Sequence, residues 1–103
     1  MMIINEEMKG VIENSPFLTI VTANKEGMPH PIIVAKGSVE GNQVKVGVYS
    51  MKVTQQNLKE NDCAMILAAQ LVEGGAKGYR FTGNAVIEDG RFVFTASNAE
   101  ALI

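Results

Sequence analysis

Short apolar segments, separated by turn residues at close and regular intervals, are the feature that most constrains the fold of this chain. Residues 17–23 are rich in β-branched and aromatic side chains, which favour strands. Val44, Val46 and Val48 alternate with Lys45 and Gly47, which is the period of a half-buried strand. Turn residues lie between such segments at positions 24–27, 40–42, 73–78 and 89–90. The pattern predicts an antiparallel β-domain.

The sequence predicts a mainly β fold of six antiparallel strands and two short helices. The first helix begins after a cap at Asn5 and ends before Pro16, and the second spans residues 53–61. Gly83 predicts a bulge or a barrel corner within its strand. No element is assigned to residues 97–103. The strands are predicted at residues 17–23, 30–36, 44–48, 63–71, 79–88 and 91–96, and their close spacing indicates a closed or nearly closed barrel.

Length and composition limit the classes of function. The chain has 103 residues, which predicts one domain over residues 1–103. Its net charge of −2 and lack of a basic stripe argue against a nucleic-acid partner. It has no apolar run long enough for a membrane span and no signal-peptide pattern, so we expect a cytoplasmic protein. The single Cys63 excludes an internal disulfide, and any catalytic triad would depend on His30 alone.

Polar residues at the predicted start of the second helix form the best candidate site. Helix N-termini carry unpaired N–H groups and a partial positive charge, which favour anions. Ser50 and Thr54 add hydroxyl donors, and Lys52 adds a positive charge. These groups suit a phosphate. The alternative from the residues alone is that Ser50 or Thr54 caps the helix and Lys52 is solvated.

The ordered set of segments resembles the pyridoxamine 5′-phosphate oxidase-like family of FMN-binding split barrels. The resemblance covers residues 17–88 and is strongest with the smallest flavin-binding members. Larger members place an arginine on the second strand and a lysine at the position of Thr54, so the phosphate charge here would rest mainly on Lys52 and the helix end. The segments that carry the resemblance are residues 17–23, 27–31, 49–58, 62–66 and 78–85.

The resemblance implies a six-stranded split barrel that forms a homodimer with FMN at the subunit interface. It implies that Lys52, Thr54 and the backbone of Gln55 hold the flavin phosphate. It also implies that the ring lies along the second and third strands, near Ile33, Val34, Ala35, Val48, Tyr49 and Ser50.

The function expected from this resemblance is that of an FMN-binding flavoprotein, an oxidoreductase or an electron carrier. Its partner would be a small molecule or a redox protein. The flavin would carry the chemistry, so no catalytic side chain and no metal ligand is assigned. The alternative is a non-enzymatic barrel that binds haem, a deazaflavin or a protein partner. His30 is the residue on which haem binding would depend.

Overall fold

Seven antiparallel strands and two helices form the fold in the computed structural model, which describes residues 2–103. The helices are α1 (Glu6–Asn14) and α2 (Lys52–Glu60). The strands are β1 (Leu18–Ala23), β2 (Pro29–Val34), β3 (Ser38–Glu40), β4 (Gln43–Gly47), β5 (Cys63–Val72), β6 (Gly75–Glu88) and β7 (Arg91–Ala101).

All seven strands belong to one curled sheet, in the order β2-β1-β5-β6-β7-β4-β3. The strands β2 and β3 are consecutive in the chain but lie at opposite edges of the sheet. They do not pair with each other, so the sheet remains open. Gly37 lies in the connection between β2 and β3, at a point where β1 and β4 approach each other. A Cβ atom at Gly37 would lie 2.9 Å from Leu18 Cδ1 and 3.2 Å from Val44 Cγ1. The curled but open sheet is the predicted split barrel.

The core lies inside the curl because alternate residues of each strand point inward. On β1, Leu18 and Ile20 are buried, while Thr19 and Val21 are partly exposed. The three largest fully buried side chains are aromatic and come from β6 and β7: Phe81, Phe92 and Phe94. Burial of such rings supplies much of the hydrophobic stabilisation of a small domain.

The helix α1 packs against β5, β6 and the edge strand β3. Its start is confirmed: the Asn5 side chain accepts a hydrogen bond from the N–H of Met8 at 2.9 Å. The Glu13 carboxylate accepts a hydrogen bond from the N–H of Val39 on β3 at 3.0 Å. The Glu13 carboxylate therefore satisfies a backbone N–H at the open edge of β3. This contact protects the edge from pairing with a strand of another chain.

The prediction of six strands is wrong by one, because it missed β3. This strand has three residues and lies between Gly37 and Gly41, so it is too short for its alternation to be recognised from the sequence. Pairing with β4, with Val39 opposite Val44, makes it a strand. Tertiary contacts decide such short segments more than local preference does.

The last two strands, β6 and β7, are longer than predicted. The turn predicted at residues 73–78 is shorter than expected, because β6 begins at Gly75, which pairs with Val72 across a tight turn. The unassigned residues 97–101 extend β7, which pairs with β6 as far as Ala101. The register shifts between Thr82 and Gly83, which confirms the irregularity predicted at Gly83.

A polar cluster holds α1 against β6. Lys77 Nζ donates to Glu7 Oε1 at 2.5 Å, and the Tyr79 hydroxyl donates to Glu7 Oε2. The hydrogen bond from Lys77, and then that from Tyr79, lower the pKa of Glu7 from its ordinary value of 4.5. The same contacts with Glu7 raise the pKa of Lys77 and of Tyr79. The cluster is therefore most favourable when Glu7 is ionised and both partners are protonated.

We expect the contribution of this cluster to stability to be lost in acid. A carboxylate whose pKa is lowered by folding stabilises the folded state above its unfolded pKa, and this stability is lost as the pH falls through the folded pKa. The difference in unfolding free energy between the wild type and Glu7→Gln should therefore shrink once the pH falls below about 4.5. Urea unfolding at a series of pH values measures it, with Glu6→Gln as the matched control. A difference that grows in acid would contradict this assignment.

Candidate functional site

A groove of about 410 Å³ lies between the end of β2 and the connection from β4 to α2. Most of its lining is apolar, and none of the described residues in that lining carries a carboxylate, imidazole, thiol or amine. Such a groove suits a flat, largely apolar ligand and supplies no strong acid or base. The lining residues are Phe17, Ile32, Ile33, Val34, Ala35, Tyr49, Ser50 and Met51.

Five residues that the family resemblance assigned to a flavin ring meet in this groove, namely Ile33, Val34, Ala35, Tyr49 and Ser50. They come from two segments that are distant in sequence. The first segment is the end of the edge strand β2, and the second is the chain that leaves β4. The curl of the sheet brings the two segments together.

The other four predicted residues lie outside the groove lining. Val48 is partly buried and packs against the core. Lys52, Thr54 and Gln55 belong to the first turn of α2, directly after the groove residue Met51. The groove therefore leads to the start of α2, where the sequence placed the anion site.

The start of α2 has no side-chain cap. The residue before the helix, Met51, adopts a left-handed conformation with φ 33°, which is uncommon outside glycine. Neither Ser50 nor Thr54 caps the helix, although Gln55 Nε2 donates to the Ser50 carbonyl at 2.8 Å. The first-turn N–H groups thus have no side-chain acceptor, which is the arrangement that favours a bound anion.

Thr54 is fully buried in the first turn of α2, and its hydroxyl Oγ1 has no hydrogen-bond partner within residues 2–103. An unsatisfied buried hydroxyl costs about 1–3 kcal/mol. One helical turn further on, the buried Asn57 donates through Nδ2 to Thr22 Oγ1 on β1 at 3.1 Å. The fully buried residues of the helix are therefore polar, and one of them is unpaired.

Three groove residues were missed by sequence reasoning: Phe17, Ile32 and Met51. Phe17 lies outside β1 and is 66% exposed, although the sequence included it in the strand. An aromatic residue directly after a proline, at the very start of a strand, is a signal that could have found it. The left-handed Met51 gives no such signal, because methionine rarely adopts that conformation.

Three other residues with reactive or charged side chains lie outside the groove lining. A lone cysteine at the start of an apolar strand is expected to be a small buried apolar group, but Cys63 is exposed, because β5 turns its odd-numbered residues outward at this end. His30 is partly buried on β2, opposite Thr22. Arg80 forms an ion pair with Glu100 at 2.6 Å.

Two classes of site are not found in the described part of the chain. Within residues 2–103, no three His, Cys, Asp or Glu residues are grouped so as to hold a metal ion. No described helix is both long and apolar enough to cross a membrane.

The fold matches several solved structures over nearly the whole chain. A variant of HupZ from Group A Streptococcus gives a TM-score of 0.80 with 18% identity, over 96% of this chain and 99% of that one. The haem storage protein HutZ from Vibrio cholerae gives 0.68 with 12% identity, over 98% and 95%. An FMN-binding protein from Syntrophomonas wolfei gives 0.72 with 10% identity, over 92% and 83%. At these identities the likeness shows the fold.

Sequence comparison adds the family. A search of curated proteins finds no match. The family model described as pyridoxamine 5′-phosphate oxidase matches residues 4–97, which is most of the chain. The match covers the groove, both helices and the sheet except for the end of β7. The chain therefore belongs to the pyridoxamine 5′-phosphate oxidase family.

Proposed function

We propose that this chain is an FMN-binding flavoprotein, with the cofactor seated in the groove at the interface of a homodimer. The observation that carries the proposal is the continuity of an apolar groove with an uncapped helix start that holds an unpaired buried hydroxyl. A flavin mononucleotide has the same two parts, a flat ring system and a terminal phosphate.

The open edge of β2 supplies contacts for the ring. The strand pairs with β1 alone. Pro29 and Pro31 have no N–H, and a paired strand accommodates proline where that N–H would face away from its neighbour. Ile33 follows at the same alternating position, so its N–H and C=O face the open edge. This donor and acceptor pair suits the pyrimidine edge of a flavin, which alternates acceptors with a donor.

The start of α2 supplies contacts for the phosphate. Lys52 is exposed and brings a positive charge to the first turn, where the helix dipole also favours an anion. The unpaired Thr54 hydroxyl is a donor that a phosphate oxygen would satisfy after a small shift of the turn. The N–H of Gln55 donates to the Met51 carbonyl at 3.0 Å, so the first-turn N–H groups without an intrahelical acceptor are those that precede it. Together with Lys52 and Thr54, this donor set fits a phosphate.

When bound, FMN supplies the capacity to accept and donate electrons. The chain positions the ring through the groove walls, binds the phosphate at α2 and excludes water from one ring face with Phe17 and Tyr49. None of these roles needs a general acid or base. We infer an oxidoreductase or electron carrier of the cytoplasm that exchanges electrons with a small molecule or a redox protein.

A second copy of the chain would cover the exposed apolar side of the sheet, here called the outer face. The register places Thr19 between Ile33 and Leu67, and Val21 between Pro31 and Met65. No charged residue is among these six, and Ile33 is 67% exposed. Apolar surface of this kind marks an interface. Because the outer face adjoins the groove through Ile33, a homodimer formed there would also enclose the cofactor.

Titration with FMN tests the proposal. The purified protein should be yellow or should bind added FMN, with quenching of flavin fluorescence. Thr54→Val should weaken FMN binding by about tenfold or more, because hydrogen bonds to charged groups contribute about 1.5–3 kcal/mol. Without FMN, the same variant should be as stable as the wild type or more stable, because it removes an unsatisfied buried hydroxyl of nearly the same shape.

Controls separate this site from general effects. Lys52→Ala should also weaken FMN binding, whereas Lys59→Ala, at the far end of the same helix, should not. A wild-type protein that binds no FMN would refute the proposal. Thr54→Val with unchanged FMN affinity would remove α2 from the site.

Haem is the second candidate ligand, favoured by the fold likeness to the haem storage protein and by the position of His30 on the strand that borders the groove. An imidazole is a common axial ligand of haem iron. A Soret band that appears on adding haemin and is lost in His30→Ala would favour haem over FMN. Saturation with FMN and no Soret band would exclude it.

A further inference from the structure

We propose that the buried pair Thr22 and Asn57 positions the start of α2 for phosphate binding. This inference rests on the proposed function and assigns a role to two residues that touch neither the groove nor the phosphate site. Both are nearly inaccessible to solvent, and Asn57 Nδ2 donates to Thr22 Oγ1 at 3.1 Å. We call them the polar anchor.

The anchor adds a directional contact to the packing of α2, whose partly buried Leu58 lies against the core. A helix of nine residues is marginal on its own and depends on tertiary contacts. Its two buried residues are Thr54 and Asn57, both polar, while its Val53 is 51% exposed. Hydrophobic packing is non-directional, whereas a hydrogen bond fixes distance and angle. The anchor therefore sets where the helix lies on β1.

The position of Asn57 links the anchor to both ends of the helix. It lies three residues after Thr54 and so shares its face of α2. Its carbonyl also accepts the hydrogen bond from the N–H of Asn61 at 2.8 Å, which closes the last turn. Because a short helix moves as a unit, a change at Asn57 displaces the first turn, where Lys52, Thr54 and Gln55 lie.

If the polar anchor had a purely structural role, its loss would lower the stability of the protein without changing the preference for FMN over riboflavin. A positioning role affects the phosphate and not the ring, which is held by β2 and Tyr49. The decisive quantity is therefore the ratio of the dissociation constants for FMN and riboflavin, since riboflavin has the same ring and no phosphate.

Thr22→Val removes the hydrogen bond while keeping the shape of the side chain. We expect FMN binding to weaken about three- to tenfold, as for the loss of one hydrogen bond, with riboflavin binding changed less than about twofold. Thr22→Ser keeps the hydroxyl and should restore the wild-type ratio. Fluorescence titrations with FMN and riboflavin measure both constants.

The double variant Thr22→Val with Asn57→Leu keeps the test informative if the single variant is poorly folded. Replacing both partners with apolar groups of similar shape is nearly neutral for stability. The double variant should unfold at the same urea concentration as the wild type and still lose its preference for FMN. Equal weakening of FMN and riboflavin, or an unchanged ratio in both variants, would overturn the anchor while leaving the FMN proposal intact. A wild type that binds neither ligand would overturn both.

Discussion

Replacing Gly83 with alanine is expected to destabilise this protein more than any other single methyl addition at a glycine. A Cβ atom at this position would lie 1.9 Å from the carbonyl oxygen of Thr95 and 3.1 Å from Ala96 Cα. Both are backbone atoms of the paired strand β7, so no side-chain rotation relieves the clash. The two strands must separate at the bulge, which disturbs the hydrogen bonds and the packing of Phe94 nearby.

The expected loss is at least about 3 kcal/mol, at the upper end of the cost of overpacking. That is a large part of the 5–15 kcal/mol typical of small domains, so the variant should be partly unfolded or insoluble. Gly10→Ala is the matched control. Gly10 lies within α1, and its added Cβ would meet nothing within 4 Å. It should stabilise the protein by about 0.5–1 kcal/mol.

Urea unfolding followed by circular dichroism measures both variants. If the unfolding free energy of Gly83→Ala lies within about 1 kcal/mol of the wild-type value, then the close approach of β6 and β7 at the bulge is wrong. If Gly10→Ala destabilises the protein, the added methyl group meets a neighbour that the structure does not place there.

Sequence reasoning anticipated Gly83 because a glycine within a strand pattern has few uses other than a bulge or a close approach. It missed β3 because three residues between two glycines carry no readable period. It began β6 too late because Gly74, Gly75 and Gly78 resemble a loop, whereas pairing with the apolar end of β5 extends the strand. Periodicity thus located the elements whose residues alternate, and long-range pairing decided the others.

The candidate site was predictable to a similar extent. The family resemblance named Ile33 and Tyr49, and the fold brings both into one groove. The burial of Thr54 was not predictable, because it depends on how α2 lies on β1. The same holds for the hydrogen bond between Asn57 and Thr22, whose partners are 35 residues apart. Contacts of this kind follow from tertiary packing and leave no local pattern in the sequence.

Ile33→Asp is expected to abolish dimer formation and with it most FMN binding. In the single chain Ile33 is 67% exposed, so an aspartate there remains solvated and the fold should be retained. In the proposed dimer the same carboxylate would be buried in apolar surroundings without a partner, which costs several kcal/mol. The substitution should therefore prevent dimer formation while leaving the fold of the single chain intact.

Light scattering after size-exclusion chromatography should show a dimer for the wild type and a monomer for Ile33→Asp. Val86→Asp is the matched control: Val86 is 50% exposed on β6 and lies in neither the groove nor the outer face. It should remain dimeric and bind FMN. A wild-type monomer would refute the homodimer. A monomeric Ile33→Asp variant with wild-type FMN affinity would show that one chain suffices for the cofactor, because then the groove and α2 alone would supply every contact that the flavin needs.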